Sequence, residues 1–263
     1  MSADEPVLLR ADTPEGVTTL TMNRGPARNA LSIELMGAMM DALSAIAADE
    51  TVRVLVIAGA GPAFCAGHDL RELRSRNSDP DFIRLTFESC AQMMQAVVAL
   101  PQPVIARVHG VATAAGAQLV ASCDLAVAAD DARFATPGVN IGLFCSTPMV
   151  ALSRNVAPKH AMDMLLTGDM IPARRAYEIG LVNRLVPAAE LEAATWALAA
   201  QLASKSSRVL RFGKQGFYRQ IPMNLGDAYA LAAEAMIENM GFDDAEEGIG
   251  AFVDKRHPHW KDS

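Results

Sequence analysis

One pattern limits the folds open to this chain more than any other. A buried apolar run passes through a turn of small residues into a helix, and it does so twice. Residues 52–58 form the first run, and the stretch GAGPAFCAGHDLRE (59–72) follows it. Gly59, Ala60, Gly61, Ala63, Ala66 and Gly67 supply the turn, and His68, Asp69 and Leu70 open a charged helix start. Residues 104–108 form the second run, ending at His109-Gly110, and VATAAGAQLVASCDL repeats the order of strand, small-residue turn and helix. Short continuous apolar runs of this kind read as buried strands. A strand that ends in such a turn can aim peptide N–H groups at a developing negative charge. A single turn of this type is equally well explained by packing alone.

The pattern around these two units alternates. Strands are expected at 7–10 and 17–22 and a helix at 33–48, N-capped by Ser32, with Leu35, Met39, Leu43 and Ile46 on its apolar face. Residues 71–80 read as a polar, mobile loop, and 81–100 as a helix ended by Pro101 and Pro103. A short strand is expected at 125–129. From residue 149 onward the chain reads as mostly helical, with helices at about 188–204, 207–220, 225–239 and 245–255. Alternating strands and helices followed by helices alone specify an α/β core with a helical C-terminal part. No composition break marks a flexible linker.

Composition removes several function classes. The 263 residues are 51% hydrophobic and 20% charged, enough for one large domain or one domain with an appendage. A formal charge of −7 argues against nucleic acid as a partner and leaves room only for a local phosphate site. Cys65, Cys90, Cys123 and Cys145 are widely spaced with no CxxC, which argues against a zinc site and for reduced, packed thiols. The acidic opening MSADEPVLLRAD lacks the pattern of a signal or transit peptide, so a cytoplasmic location is expected. The apolar stretch 96–129 is broken by Pro101, Pro103, Arg107, His109 and Asp124, so no membrane span is expected. No GxGxxG follows a strand, and Gly213-Lys214 lacks the upstream glycine of a phosphate-binding loop.

Four ordered fragments resemble the crotonase (enoyl-CoA hydratase/isomerase) superfamily. AFCAGHDLRE resembles the family's AFxAGxDxxE stretch, and PVIARVHGVATAAGAQLVASCDLAVA resembles its second signature. NRGPARNAL near the start and AFVDKRHPHW near the end also resemble family segments. Within the superfamily, FATPGVNIGLFCSTP and GKQGFYRQIP are similar to the enoyl-CoA hydratase domain-containing 3 subgroup. The resemblance implies a crotonase fold, a spiral of ββα units over 1–195 with a helical region at 196–263 for oligomerisation and CoA contacts. It implies a homotrimer, or a hexamer made of paired trimers, and an acyl-CoA or enoyl-CoA ligand. Coenzyme A would enter as part of the substrate thioester, with no permanently bound cofactor and no metal.

The resemblance also implies an oxyanion hole of two backbone N–H groups, that of His68 after Ala66-Gly67 and that of Ala115 in the Ala114-Ala115-Gly116 turn. Such donors stabilise the enolate-like thioester oxygen, and losing one typically costs roughly 3–4 kcal/mol. Ala30 and Leu31 would line the CoA channel, with Arg28 beside it. Arg71 would stand near the CoA phosphates, and Phe252 and Lys255 near the adenine and 3′-phosphate. Asp69 and Leu70 fall in the same substrate-binding stretch.

One departure matters. Hydratases of this family use two glutamates, and the matching positions here are Gln118 and Gly138. A glutamine amide orients water but does not take its proton near neutral pH. A positioned acid or base contributes about 10²–10⁴ in rate. Candidate replacements are Asn140, Cys145, Ser146 and Thr147 in the following loop, and Asp69 and Glu72 beside the first donor; a helix-opening role explains the last two more simply. Three readings follow: an acyl-CoA enzyme, a non-catalytic acyl-CoA binding protein, and a thioester hydrolase using Cys145 or an activated water.

Overall fold

In the computed structural model the described residues are 5–262; residues 1–4, where the acidic opening begins, and residue 263 lie outside them. The main sheet has six strands. Strand β1 (Leu8–Asp12) pairs antiparallel with β2 (Val17–Met22), and β2 runs parallel to β3 (Val54–Gly59). The parallel ladder continues through β4 (Val104–Val108), β6 (Leu125–Ala129) and β9 (Arg184–Val186). A smaller sheet carries β5 (Val111–Thr113), β7 (Arg133–Ala135) and β8 (Ile171–Pro172) in that order. Strands covered on both faces need no polar side, which is why β3 and β4 appear in the sequence as unbroken apolar runs.

Helix α1 (Ile33–Ala48) buries Leu35, Met36, Met39, Leu43 and Ile46 and packs against α3 (Pro80–Ala99). Ser32 Oγ caps α1 by accepting from Leu35 N–H at 3.2 Å. The expected loop at 71–80 is instead helix α2 (Leu70–Ser75) joined by a short turn to α3. Two caps explain the difference. Asp69 accepts from the N–H groups of Arg71 and Glu72, and Asp79 accepts from Phe82 N–H just ahead of Pro80, the first residue of α3. Polarity alone suggested a loop, whereas these residues supply both helix starts.

Helix α4 (Ala115–Ser122) follows β5 and is buried along its whole length. Helices α5 (Ser146–Asn155), α6 (Pro158–Thr167) and α7 (Ala173–Glu178) lead to α8 (Leu191–Ala203), which lies across β2, β3, β4 and β6. The expected division at 195/196 therefore falls inside a helix that packs on the main sheet. Helices α9 (Ser207–Gln220), α10 (Leu225–Met240) and α11 (Asp243–Val253) complete the chain. Among the described residues, no helix is long and apolar enough to cross a membrane.

Helix α9 is pinned to the sheet by a partly buried cluster. Asp124 accepts from Val104 N–H at 2.7 Å, from Lys214 Nζ at 2.7 Å and from Tyr218 Oη at 2.9 Å. Lys214 Nζ also donates to the Gln102 carbonyl at 3.0 Å. Burial pulls the Lys214 pKa below its ordinary value, with the Asp124 carboxylate opposing that shift. Replacing one partner of such a pair strands the other charge, at a cost of about 3–5 kcal/mol. Asp124→Ala is therefore expected to lower the melting temperature by roughly 10 °C, at about 2–4 °C per kcal/mol for a chain of this size, while Asp124→Asn, which keeps the acceptor for Tyr218, costs less. Differential scanning fluorimetry checks the order, and equal melting of both variants and the parent would contradict it.

Candidate active site

The two small-residue turns of the sequence meet in space. Cys65 pairs with Ala112 in an isolated parallel bridge, donating from its N–H to the Val111 carbonyl at 3.1 Å and accepting from Thr113 N–H at 3.0 Å. Thr113 Oγ1 adds a bond to the Ala66 carbonyl at 3.1 Å. On the other side Leu31 bridges to His68: Leu31 N–H donates to the Gly67 carbonyl at 2.7 Å, and Asp69 N–H donates to the Leu31 carbonyl at 3.0 Å. In an extended segment successive peptide groups face alternate sides. Leu31 takes the groups of 67 and 69, so the His68 N–H faces the opposite way.

Ala115 opens α4, where the first N–H groups have no acceptor within the helix. The Ala114 N–H is already used by the Ala135 carbonyl at 2.9 Å. Among the described residues, neither His68 N–H nor Ala115 N–H donates to another loop, turn or side chain. Two glycines allow this approach. Gly67 has φ +89°, and a Cβ there would lie 2.9 Å from Ala114 Cβ and 3.3 Å from Ala115 N. A Cβ on Gly116 would lie 2.1 Å from the Cys65 carbonyl oxygen, well inside any tolerated contact. Ala114 itself has φ 50° and ψ −118°, a strained conformation for a residue with a side chain.

The candidate acid and base positions are distinct in character. Gln118 lies one turn along α4 from Ala115, is only 4% exposed, and its Oε1 has no partner among the described residues. Gly138 belongs to a 3-10 turn, Pro137–Ile141. A Cβ there would lie 2.7 Å from the Leu143 carbonyl oxygen and 2.9 Å from Cys145 Sγ, so the loop occupies the space that a side chain would need. The His68 imidazole packs edge-on against Phe87, with ring centres 5.0 Å apart. Burial lowers its pKa to about 4, so it is neutral at pH 7, and its Nε2 is buried without a partner among the described residues.

The acidic replacement candidates are structurally committed, and no side-chain bond to Thr147 is found among the described residues. Asp69 caps α2 and pairs with Arg24 at 2.9 Å. Burial alone would raise its pKa, but the Arg24 bond and two backbone N–H groups outweigh it and hold the carboxyl below its usual range. Glu72 accepts from Ile33 N–H at 3.1 Å, at the start of α1. Asn140 Nδ2 contacts the Gly168 carbonyl at 3.4 Å. Cys145 is 8% exposed, and burial pushes its thiol up, partly offset by the Gly138 backbone. Among the described residues no base bonds to Cys145, which removes the means of making it a nucleophile. Ser146 Oγ reaches only the Phe144 carbonyl, at 3.4 Å.

The remaining predicted positions fall into two groups. Ala30 and Leu31 are buried beside the first turn, and Leu31 enters through its backbone while its side chain joins the core. The Ala66 N–H is held by the Arg28 carbonyl at 3.0 Å. Leu70 and Arg71 are exposed next to the turn. Phe252 is 85% exposed and Lys255 is exposed with φ 54°; no described hydrogen bond ties either to the two turns. Sequence reasoning missed Thr113 and Phe87. A hydroxyl inside a run of small residues was the available signal for Thr113. Phe87 carried none, because its contact with His68 crosses from another helix.

The strain at Ala114 generates a direct test. Ala114→Gly relieves roughly 1–3 kcal/mol of backbone strain against about 0.5–1 kcal/mol of added chain entropy. A net gain near 1 kcal/mol should raise the melting temperature by about 2–4 °C. An unchanged or lower melting temperature would show that the turn is not strained.

Comparison with known proteins bears on the family and the fold. A sequence model described as Enoyl-CoA hydratase/isomerase matches residues 12–263. Enoyl-CoA hydratase domain-containing protein 3, mitochondrial, from Mus musculus is 43% identical over 259 residues, covering 98% of this chain and 86% of that protein. The Homo sapiens counterpart is 44% identical over 256 residues, covering 97% and 84%. A crystal structure of an enoyl-CoA hydratase from Mycobacterium smegmatis superposes with a TM-score of 0.95 at 50% identity, covering 97% of this chain and 99% of that one. The crystal structure of human enoyl Coenzyme A hydratase domain-containing protein 3 gives 0.93 at 43% identity, covering 97% and 100%. The word mitochondrial in the descriptions of these relatives overturns the cytoplasmic location expected from the acidic opening, whose composition reports only the lack of a targeting pattern and not a destination. With the crotonase fold, the family match and the full-length relatives in agreement, the chain belongs to the enoyl-CoA hydratase/isomerase family.

Proposed function

We propose that the chain binds acyl-CoA thioesters with the carbonyl oxygen held between His68 N–H and Ala115 N–H, and polarises them without the two-carboxylate hydration its family name suggests. The observation that carries this reading is the interlocking of the two turns, which leaves those two donors unused and adjacent. Preorganised donors gain from a carbonyl whose oxygen becomes enolate-like, because they need no reorganisation as charge develops. Gln118 and Gly138 stand where the family resemblance calls for glutamates, and neither takes a proton from water near neutral pH. Polarisation is therefore retained and the proton shuttle is absent. Coenzyme A enters only as part of the ligand. Arg71, exposed beside the first turn, suits its phosphates, and Phe252 and Lys255 are exposed for its nucleotide end, within one subunit or across two.

The Cys145 form of the thioester hydrolase reading loses its nucleophile, because the thiol is buried and no base bonds to it among the described residues; the activated-water form is not favoured by any group placed at the site. The assembly we propose is a homotrimer, or a hexamer of paired trimers. No residue of α10 is buried, although Leu225, Tyr229, Met236, Ile237 and Met240 lie on it. A helix that packs one face partly against α9 and leaves these apolar side chains exposed calls for another copy. Light scattering should give three or six times 28.0 kDa, and a monomer at micromolar concentration would sink the assembly.

Calorimetry with butyryl-CoA should show saturable binding. With crotonyl-CoA, loss of the enoyl absorbance should run at least about 100-fold below that of a relative with both carboxylates. Gly67→Ala, which drives a Cβ against the second donor, should weaken butyryl-CoA binding at least about tenfold, or 1.4 kcal/mol. Gln118→Glu should raise hydration above the parent level, since only the amide nitrogen is exchanged. Gly138→Glu is a poor companion because the Leu143 carbonyl blocks it. Hydration by the unaltered chain at the relative's rate would overturn the non-hydratase reading, and absent binding would overturn the ligand.

A further inference from the structure

The two oxygens of Asp69, the residue after the first donor, make different contacts. Oδ1 accepts from the N–H groups of Arg71 and Glu72 at 3.1 and 3.3 Å and so starts α2. Oδ2 takes no part in that cap and accepts from the Arg24 guanidinium at 2.9 Å. A helix start needs only one side-chain oxygen. The ion pair is therefore a second device, and it is partly buried, with the side chains of Arg24 and Asp69 19% and 13% exposed.

The other arm of the same guanidinium donates to the Ala30 carbonyl. Ala30 and Asp69 lie in the two segments that the Leu31–His68 bridge joins. Along that edge the Arg28 carbonyl accepts from Ala66 N–H at 3.0 Å, and Leu31 takes the Gly67 carbonyl and the Asp69 N–H. A planar guanidinium holds two acceptors in a fixed fork, so Arg24 fixes how the two segments lie against each other. Successive peptide groups of an extended segment face alternate sides. A slip of one residue would turn the His68 N–H toward Leu31 and away from the Ala115 N–H.

The clamped segment also needs holding. Arg28 and Asn29 are consecutive left-handed residues, with φ 52° and 53°. Such backbone persists where the surrounding contacts over-determine it. Arg24 supplies two of those contacts: its N–H donates to Asn29 Oδ1 at 2.8 Å, and its carbonyl accepts from Asn29 N–H at 3.0 Å.

We propose that Arg24 and Asp69 are positioning residues for the thioester oxygen, their ion pair fixing the register in which the His68 N–H faces the ligand, separately from the α2 cap. The inference rests on the thioester reading above. The pair acts through the His68 peptide and not on the ligand itself.

The test is difference infrared spectroscopy and calorimetry on the full chain with butyryl-CoA labelled with carbon-13 at the thioester carbonyl. In the unaltered chain the carbonyl stretch should fall on binding, because both donors polarise the bond. Asp69→Asn keeps Oδ1 for the cap and sets an amide donor against the guanidinium; Arg24→Met removes the fork. Each should retain only about half of the fall, because one of two donors is turned and a bent hydrogen bond weakens steeply. Each should also bind about fivefold more weakly, and the double variant should be no weaker than either single one, since both remove one contact. Asp124→Ala, which loosens α9 and leaves the turn untouched, should keep the whole fall. Circular dichroism and melting establish that each variant is folded at the temperature used, with Arg24→Gln as the alternative if Arg24→Met is not. A full fall in either Asp69→Asn or the Arg24 variant, losses that add in the double variant, or an equal loss in Asp124→Ala would overturn the positioning role while leaving the two-donor site standing. No binding, or no fall, in the unaltered chain would remove the thioester reading itself.

Discussion

The arrangement depends on one contact: the backbone of residues 65–66 lying directly against that of residues 111–116. Three hydrogen bonds join them, two between peptide groups and one from Thr113 Oγ1. The closeness is possible only because residue 116 has no side chain to meet the Cys65 carbonyl. This contact holds the end of one strand–turn–helix unit beside the end of the next, and both free N–H groups are by-products of it. Leu31 secures the outer side of the first turn and sets which way the His68 peptide faces. The site is thus built from main chain, and side chains act mainly by being small enough to allow it.

Charged groups around the site mostly serve the scaffold. Asp69 and Glu72 spend their carboxylates on helix starts, and Arg24 is drawn to Asp69 and to the Ala30 carbonyl. What remains near the donors is neutral: a buried amide, an uncharged imidazole and a glycine. A neutral, partly buried lining strengthens hydrogen bonds to a polarised carbonyl, yet it contains nothing that gains or loses a proton easily at neutral pH. On the function proposed above, binding and polarisation are separated from proton transfer in this chain.

Much was legible beforehand. Ser32 announced α1 and the twin apolar runs announced β3 and β4, because a cap and a buried parallel strand each leave a local signature. The stretch 71–80 was misread because its polarity masked two acidic caps, Asp69 and Asp79, whose effect depends on which N–H groups they reach. Asp124 was legible only as a charge breaking an apolar stretch, because its bonds to Lys214 and Tyr218 span 90 and more residues and leave no local trace.

The sequence by itself determined the main strands of the core and most of its helices, the small-residue turns, the absence of carboxylates at 118 and 138, and a family resemblance resting on those motifs. These are properties of neighbouring residues, set by periodicity, side-chain size and chemistry. Only the tertiary structure decided that the two turns touch, that the His68 peptide faces away from Leu31, that Gly138 has no room for a side chain, and that Gln118 and His68 keep unpaired atoms. Each of those depends on a partner distant in the chain, and a partner's position is a consequence of packing the whole fold.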